Sequence, residues 1–195
     1  MIASDETLRA LLNSGDLSVE PSVKESDIRQ VGLRLYLEGR LLVPVVSRSN
    51  GDGCVVDLRS PQKAQFRSHE MPSSGYTLAP GEMVLGSTSQ RFRLSRTWVA
   101  LLDGRSSLAR VGLDVHSTAT VVDNIYDDFR AVTLELRNNG PFDLTLSSGL
   151  PIGMLLVVQA AEPIDGRDSL QYAGQHGATP PLRSVVDSQS KGDYD

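Results

Sequence analysis

Apolar residues follow first a helical and then a strand-like spacing along this chain. The leucines within residues 8–12 form one apolar stripe, which begins after the favourable N-cap residue Ser4 and stops at Gly15. This stripe predicts one short amphipathic helix. In residues 31–37, valine and leucine alternate with glycine, arginine and tyrosine, which is the repeat of a strand with one buried face.

Strand-like segments dominate the rest of the chain up to about residue 160. Each is short and apolar, and most lie between turns rich in glycine, asparagine or proline: 41–46, 54–58, 83–87, 91–94, 98–102, 115–122, 131–137, 142–146 and 152–159. Many short strands predict an all-β sandwich or barrel. Residues 105–112 lack alternation and predict a short helix between strands.

The composition changes near residue 162. From there the chain is rich in Gly, Ser, Asp, Gln and Pro and poor in large apolar residues. Such a segment buries too little surface to order itself. We therefore expect a domain at 1–161 and a tail at 162–195, which is disordered or is ordered by a ligand or a neighbouring subunit.

Length and charge narrow the class of protein. The chain has 195 residues and 39% hydrophobic content, enough for one substantial core. A net charge of -5 argues against nucleic acid as a partner, because binding its backbone needs clustered cations. The only cysteine, Cys54, cannot form an internal disulfide. We expect no leader, because residues 1–6 lack a basic region followed by an apolar stretch, and no apolar run has the length of a membrane span. These features predict a soluble cytoplasmic protein with no membrane partner.

Residues 103–113 carry the most informative chemistry. Two arginines and two serines fall within positions 105–110, where they offer cations and hydroxyl donors to a phosphorylated ligand. Ser106 and Arg110 are four residues apart and share a helix face, whereas Leu108 and Val111 are expected to turn toward the core. The pattern indicates a nucleotide.

The segment 131–137 adds a carboxylate. Its alternation places Thr133 and Glu135 on the face opposite the apolar residues. Taken singly, Glu135 also fits a solvated strand residue, Arg110 a surface ion-pair partner, and His116 a core or interface histidine. Only their combination indicates a site.

Three pieces resemble a known family and keep its order. DGRSSLARVGL at 103–113, HSTA at 116–119 and TLELRN at 133–138 resemble the deoxycytidine triphosphate (dCTP) deaminases of the trimeric deoxyuridine triphosphatase (dUTPase) superfamily. Weaker matches near both ends extend the resemblance over nearly the whole chain. It implies an all-β, dUTPase-like jelly-roll barrel with a few short helices and a flexible C-terminal tail that closes over the nucleotide. It also implies a homotrimer with active sites between subunits.

The resemblance assigns roles to matching positions. Glu135 becomes the general acid and base, Arg110 and Ser106 orient the reacting groups, and the carbonyl of Ala119 accepts a hydrogen bond from the water or the amino group. The remaining nucleotide-binding positions comprise phosphate donors, a sugar contact and tail residues: Arg105, Ser106, Ser107, Arg110, Asp123, Thr133, Tyr172 and Gln175.

This chemistry needs no catalytic metal. One carboxylate can take the proton of water and return protons to the base, if burial raises its pKa. Zinc deaminases instead use the signature H-x-E with P-C-x-x-C, which this chain lacks. We expect Mg²⁺ only as an ion bound through the triphosphate.

The chain departs from the family pattern at three places. Gly32 replaces an early aspartate, the loop of residues 123–129 is longer, and Gln171 replaces a phosphate-binding lysine. The leading hypothesis is deamination of dCTP to dUTP and ammonia. The alternatives are a bifunctional enzyme that forms dUMP and pyrophosphate, and a diverged nucleotide-binding regulator without catalysis.

Overall fold

The computed structural model describes residues 1–46, 55–123, 125–165 and 176–181. Four positions named above lie outside these ranges: Cys54, Gln171, Tyr172 and Gln175. The described helices are α1 (Asp5–Ser14), α2 (Ser106–Ala109) and two single-turn 3-10 helices at Glu25–Asp27 and Pro61–Lys63.

The described strands fall in the predicted all-β class. In chain order they are β1 (Leu17–Glu20), β2 (Ile28–Arg29), β3 (Gly32–Tyr36), β4 (Arg40–Pro44), β5 (Phe66–Glu70), β6 (Tyr76–Leu78), β7 (Met83–Leu94), β8 (Trp98–Gly104), β9 (Leu113–Asp114), β10 (Val121–Val122), β11 (Arg130–Asn138), β12 (Leu144–Leu146) and β13 (Pro151–Gln159).

Two mainly antiparallel sheets enclose one core. The larger has the order β5-β4-β7-β11-β9, with β1 also paired to β7, and the other has the order β10-β8-β13-β3-β2. Strands β6 and β12 form a separate pair. Buried leucines and valines from both large sheets form a single cluster, so each sheet buries its apolar face against the other.

Helix α1 confirms the first prediction. The Ser4 hydroxyl accepts a hydrogen bond from the Thr7 amide at 3.3 Å, and Gly15 ends the helix in the left-handed region at φ 81. Leu8 and Leu11 are buried. Burying each of these side chains stabilises the fold by about 1.5 to 3 kcal/mol.

Strand β11 also confirms the predicted alternation. Val132, Leu134 and Leu136 are buried in the core, whereas Thr133 and Glu135 are only partly buried. The register with β7 shifts between Ala131 and Thr133. Glu135 therefore faces away from the core, as its position in the repeat predicts.

Other strand predictions were wrong in detail. Segment 115–122 is a strand only at its end, Val121–Val122, because Ala119 N–H donates to the carbonyl of His116 at 2.7 Å and closes a turn with Ser117 at φ 46. Residues 55–58 form no strand. Segments 83–87 and 91–94 belong to the single strand β7. The strands β1, β2, β5 and β6 were missed because short, polar strands lack a clear apolar repeat.

The expectation for Val111 was also wrong. Leu108 packs against the core, but Val111 is 39% exposed. Helix α2 ends at Ala109, so the spacing between these two residues no longer places them on one face. Gly112 then turns the chain at φ 95, and a Cβ there would lie 2.3 Å from the backbone of Gly140.

Candidate active site

One cavity runs beside strand β11. Its volume is about 420 Å³, and we call it the β11 cavity. It brings together predicted residues from three places in the sequence: Ala119, Asp123, Thr133 and Glu135. Apolar side chains form most of its remaining wall, with one further cation and two residues of the predicted tail: Phe66, Met83, Leu85, Val121, Val122, Ile125, Arg130, Ala131, Val132, Thr179 and Pro181.

Glu135 is a carboxyl group of this cavity whose pKa is shifted from its ordinary value. Its Oε2 atom is buried and has no hydrogen-bond partner among the described residues. Burial raises the pKa of Glu135 from its ordinary value; the backbone amide and His116 oppose this effect, and Asp114 reinforces it. A carboxyl group in this setting holds its proton more readily than an exposed glutamate, as a general acid and base requires.

His116 lies beside Glu135. The two residues form an isolated parallel β-bridge, and Nδ1 of His116 is buried without a hydrogen-bond partner in the described part of the chain. Its Nε2 atom lies 3.8 Å from the carboxylate of Asp103. The structure therefore places this histidine in contact with the cavity wall rather than in the centre of the core.

The loop after Asp123, which departs from the family pattern, contacts two arginines that do not line the β11 cavity. Arg96 donates to both carboxylate oxygens of Asp127 at 2.6 and 2.8 Å. The guanidinium of Arg93 lies 5.3 Å from the ring centre of Phe129. Within the described ranges, no group of three or more His, Cys, Asp or Glu side chains is placed to hold a metal ion.

The described residues of the predicted tail contact the barrel. Thr179 and Pro181 line the β11 cavity, and Gly177 lies against Arg40 and Glu38. Two residues of segment 176–181 therefore form part of the cavity wall.

A second cavity lies beside helix α2. We call it the α2 cavity; its volume is about 340 Å³, and its walls are rich in arginine, serine and glycine: Arg29, Arg34, Gly104, Arg105, Ser106, Ser107, Gly153 and Met154. The guanidinium of Arg105 donates to the carbonyl of Pro151 at 3.0 Å, which fixes its position at the cavity wall. Several guanidinium groups and two hydroxyls offer a phosphate chain the donors that it prefers.

Comparison with known proteins decides the family. A family model described as dCTP deaminase-like matches residues 2–160. The chain belongs to this family.

Curated relatives agree with this assignment. The protein named "dCTP deaminase, dUMP-forming" of Corynebacterium jeikeium is 32% identical, covering 92% of this chain and 95% of the relative. The protein of the same name from Beutenbergia cavernae is 34% identical, covering 92% of this chain and 93% of that relative. These matches confirm the resemblance seen in the three sequence pieces.

A solved structure agrees with the dUTPase-like fold. The 2'-deoxycytidine 5'-triphosphate deaminase of Agrobacterium tumefaciens superposes with a TM-score of 0.56 at 16% identity. The match covers 82% of this chain and 48% of that chain, so this chain spans about half of its length. The predicted all-β, dUTPase-like class is confirmed.

Within this dCTP deaminase-like chain, the predicted residues divide between the two cavities. The β11 cavity holds Glu135 with Ala119, Asp123 and Thr133, whereas the α2 cavity holds the predicted phosphate donors Arg105, Ser106 and Ser107. Ser106, which was also predicted to orient the reacting groups with Glu135, therefore lines a different cavity from Glu135 in this chain. Arg110, at the end of α2, lines neither cavity. Tyr172 and Gln175 lie outside the described residues, so their roles stay predictions.

Sequence reasoning missed three arginines. Arg29 and Arg34 line the α2 cavity, and Arg130 lines the β11 cavity although it is only 5% exposed. They were overlooked because an arginine in or beside a strand usually lies at the surface. The departure at Gly32 has a structural reason, since a Cβ there would lie 2.9 Å from the carbonyl oxygen of Leu155.

Proposed function

We propose that this protein deaminates dCTP and then hydrolyses the product to dUMP and pyrophosphate. The observation that carries the proposal is the half-buried Glu135, with its raised pKa, in one cavity with Ala119 and Asp123. The relatives at 32 and 34% identity are named as dUMP-forming, which favours this bifunctional reaction over release of dUTP.

The first step is hydrolysis at the cytosine ring. Water attacks C4 while Glu135 takes one of its protons and delivers that proton to N3. Glu135 then takes the remaining proton from the added hydroxyl group and gives it to the departing amino group. The bond between C4 and the amino nitrogen breaks, and ammonia leaves. The carbonyl of Ala119, in the same wall, is the proposed acceptor that orients the water or the amino group.

The second step is hydrolysis of the phosphate chain. Water attacks the α-phosphorus, the bond to the oxygen that bridges the α- and β-phosphates breaks, and pyrophosphate leaves. Arg105, Ser106 and Ser107 are the proposed donors to this chain, and Asp123 is the proposed sugar contact. Mg²⁺ would enter bound to the triphosphate, as part of the substrate.

Assembly explains the division of residues between two cavities. We propose a homotrimer in which the α2 cavity of one subunit faces the β11 cavity of the next. One nucleotide would then place its base and sugar in the β11 cavity of one subunit and extend its triphosphate toward the α2 cavity of the neighbouring subunit. The tail 162–195, including Tyr172 and Gln175, would close over it.

A product assay tests this reaction. Purified protein with magnesium is incubated separately with dCTP, CTP, dCMP and dUTP, and ammonia, uracil nucleotides and pyrophosphate are measured. We expect equal amounts of ammonia and pyrophosphate from dCTP. Ammonia with accumulating dUTP would limit the activity to deamination, and nucleotide binding without either product would indicate a regulator.

The cellular location stays a prediction. In the described ranges, no helix has both the length and the apolar character needed to cross a bilayer.

A further inference from the structure

Arg130 is a buried arginine that forms no ion pair with another described residue. It is 5% exposed and lines the β11 cavity, and its Nε and Nη1 atoms have no hydrogen-bond partner among the described residues. Other arginines of the barrel form ion pairs, such as Arg91 with Glu20 at 2.6 Å and Arg96 with Asp127 at 2.6 Å. Arg130 differs from these arginines in that its buried nitrogens are left unsatisfied.

Such a group needs an anionic acceptor. Arginine keeps its charge at all physiological pH values, and an isolated charge in an apolar wall destabilises a protein unless a partner completes it. Among the ion pairs of the described residues, none joins Arg130 to Glu135 of the same cavity. The acceptor that fits best is therefore carried by the ligand of the cavity.

The position of Arg130 indicates which part of the ligand its guanidinium contacts. Arg130 opens strand β11 and Glu135 lies five residues further on, which separates their Cα atoms by at most about 16 Å at the rise of an extended strand. Arg130 and Asp123, the proposed sugar contact, line the same cavity, so Arg130 is available to a group attached to the sugar. The anion nearest to the sugar of a nucleotide is its 5'-phosphate.

We propose that Arg130 binds the phosphate group attached directly to the 5' carbon of the substrate's sugar. This inference rests on the proposed function, because it takes the base to lie at Glu135. It deepens that function, because the protein would recognise the 5'-phosphate by itself and not only the complete triphosphate. The chain then distinguishes a nucleotide from a nucleoside within the β11 cavity itself.

Binding constants for matched ligands test the proposal. Calorimetry compares deoxycytidine, its 5'-monophosphate, its 3'-monophosphate and dCTP on the wild type, Arg130→Gln and Arg130→Lys. The control is Arg59→Gln, which removes an exposed arginine whose side chain is 78% accessible.

We expect Arg130→Gln to weaken both 5'-phosphorylated ligands about 10- to 100-fold, as loss of a charge-assisted hydrogen bond does, with deoxycytidine unchanged. Arg130→Lys should retain part of the affinity, and Arg59→Gln should retain all of it. If Arg130→Gln does not fold, the ratio of 5'-monophosphate to deoxycytidine affinity in Arg130→Lys decides the question.

Several results would overturn the proposal. These are equal losses for deoxycytidine and its 5'-monophosphate, no loss for either, a loss confined to the 3'-monophosphate, or dissociation of the oligomer in sedimentation of Arg130→Gln. The last result would give the guanidinium a partner in another subunit. Failure of the proposed function is distinct, because it appears as absence of ammonia in the wild type whatever the binding constants are.

Discussion

The β11 cavity and the α2 cavity differ in how they hold charge. In the β11 cavity, Glu135 and Arg130 are set among apolar side chains, and burial raises the pKa of the carboxyl group. The α2 cavity instead gathers arginines, serines and glycines around a polar opening. A proton-transferring group benefits from a dry wall, whereas a phosphate chain needs many donors. The difference supports the proposal that the two cavities are halves of one site with separate tasks.

Removing the carboxylate is expected to have the largest effect. Glu135→Gln should lower ammonia release about 10²- to 10⁴-fold, because general acid and base catalysis contributes that much, while dCTP binding is retained. Single-turnover rates and binding constants separate the two quantities. Glu6→Gln, an exposed glutamate of α1, is the control and should match the wild type. If Glu135→Gln still released ammonia at the wild-type rate, the β11 cavity would not be the place of catalysis.

The next largest effect is expected on stability, at Gly112 in the turn that follows helix α2. Gly112→Ala should lower the free energy of unfolding by about 2 to 4 kcal/mol, because it adds a clash with Gly140 to a strained backbone. Gly149→Ala is the matched control: it shares a positive φ of 76 but has open space, so only about 1 to 2 kcal/mol is expected. Urea melts measure both. Equal losses would mean that contact with Gly140 does not hold α2 in place.

The substitution Arg105→Gln tests whether the α2 cavity binds the phosphates. This change should weaken dCTP about 10- to 100-fold and leave deoxycytidine unaffected, since only the phosphates reach the α2 cavity. Titration of both ligands, with Arg59→Gln as control, measures the effect. An equal loss for deoxycytidine would show that the two cavities do not divide the nucleotide in this way.

The smallest expected effect is on the pH dependence of stability. Because burial raises the pKa of Glu135 above its ordinary value of 4.5, the folded state binds its proton more tightly than the unfolded state. That contribution is fully present below the ordinary pKa and is lost as the pH rises through the raised one. The unfolding free energy of the wild type should therefore fall relative to that of Glu135→Gln between pH 4 and neutral pH, as urea melts at several pH values would show. A constant difference would contradict the raised pKa.

Sequence patterns predicted the parts of the fold that local periodicity determines. Helix α1 and strand β11 carry clear apolar repeats, and both were confirmed. The turn around Ser117 was missed because its positive φ depends on contacts made in the folded chain. The same limit applies to Arg130, whose burial results from packing between distant segments rather than from any local pattern.

The candidate site was predicted in composition but not in arrangement. Motifs indicated Glu135 and the donors of residues 105–107, but no spacing in one sequence reports that they line separate cavities. That separation depends on the register of β11 and β8 in different sheets.

Subunit mixing tests most directly the claim that two cavities from different copies form one site. Glu135→Gln and Arg105→Gln proteins are unfolded together and refolded as mixed oligomers. Ammonia release is then assayed at a dCTP concentration well below the dissociation constant of Arg105→Gln, where that parent turns over slowly. If neighbouring subunits share a site, equal mixing restores about a quarter of the wild-type rate, because that share of interfaces pairs an intact Glu135 with an intact Arg105. Mixed oligomers no more active than their parents would contradict the account.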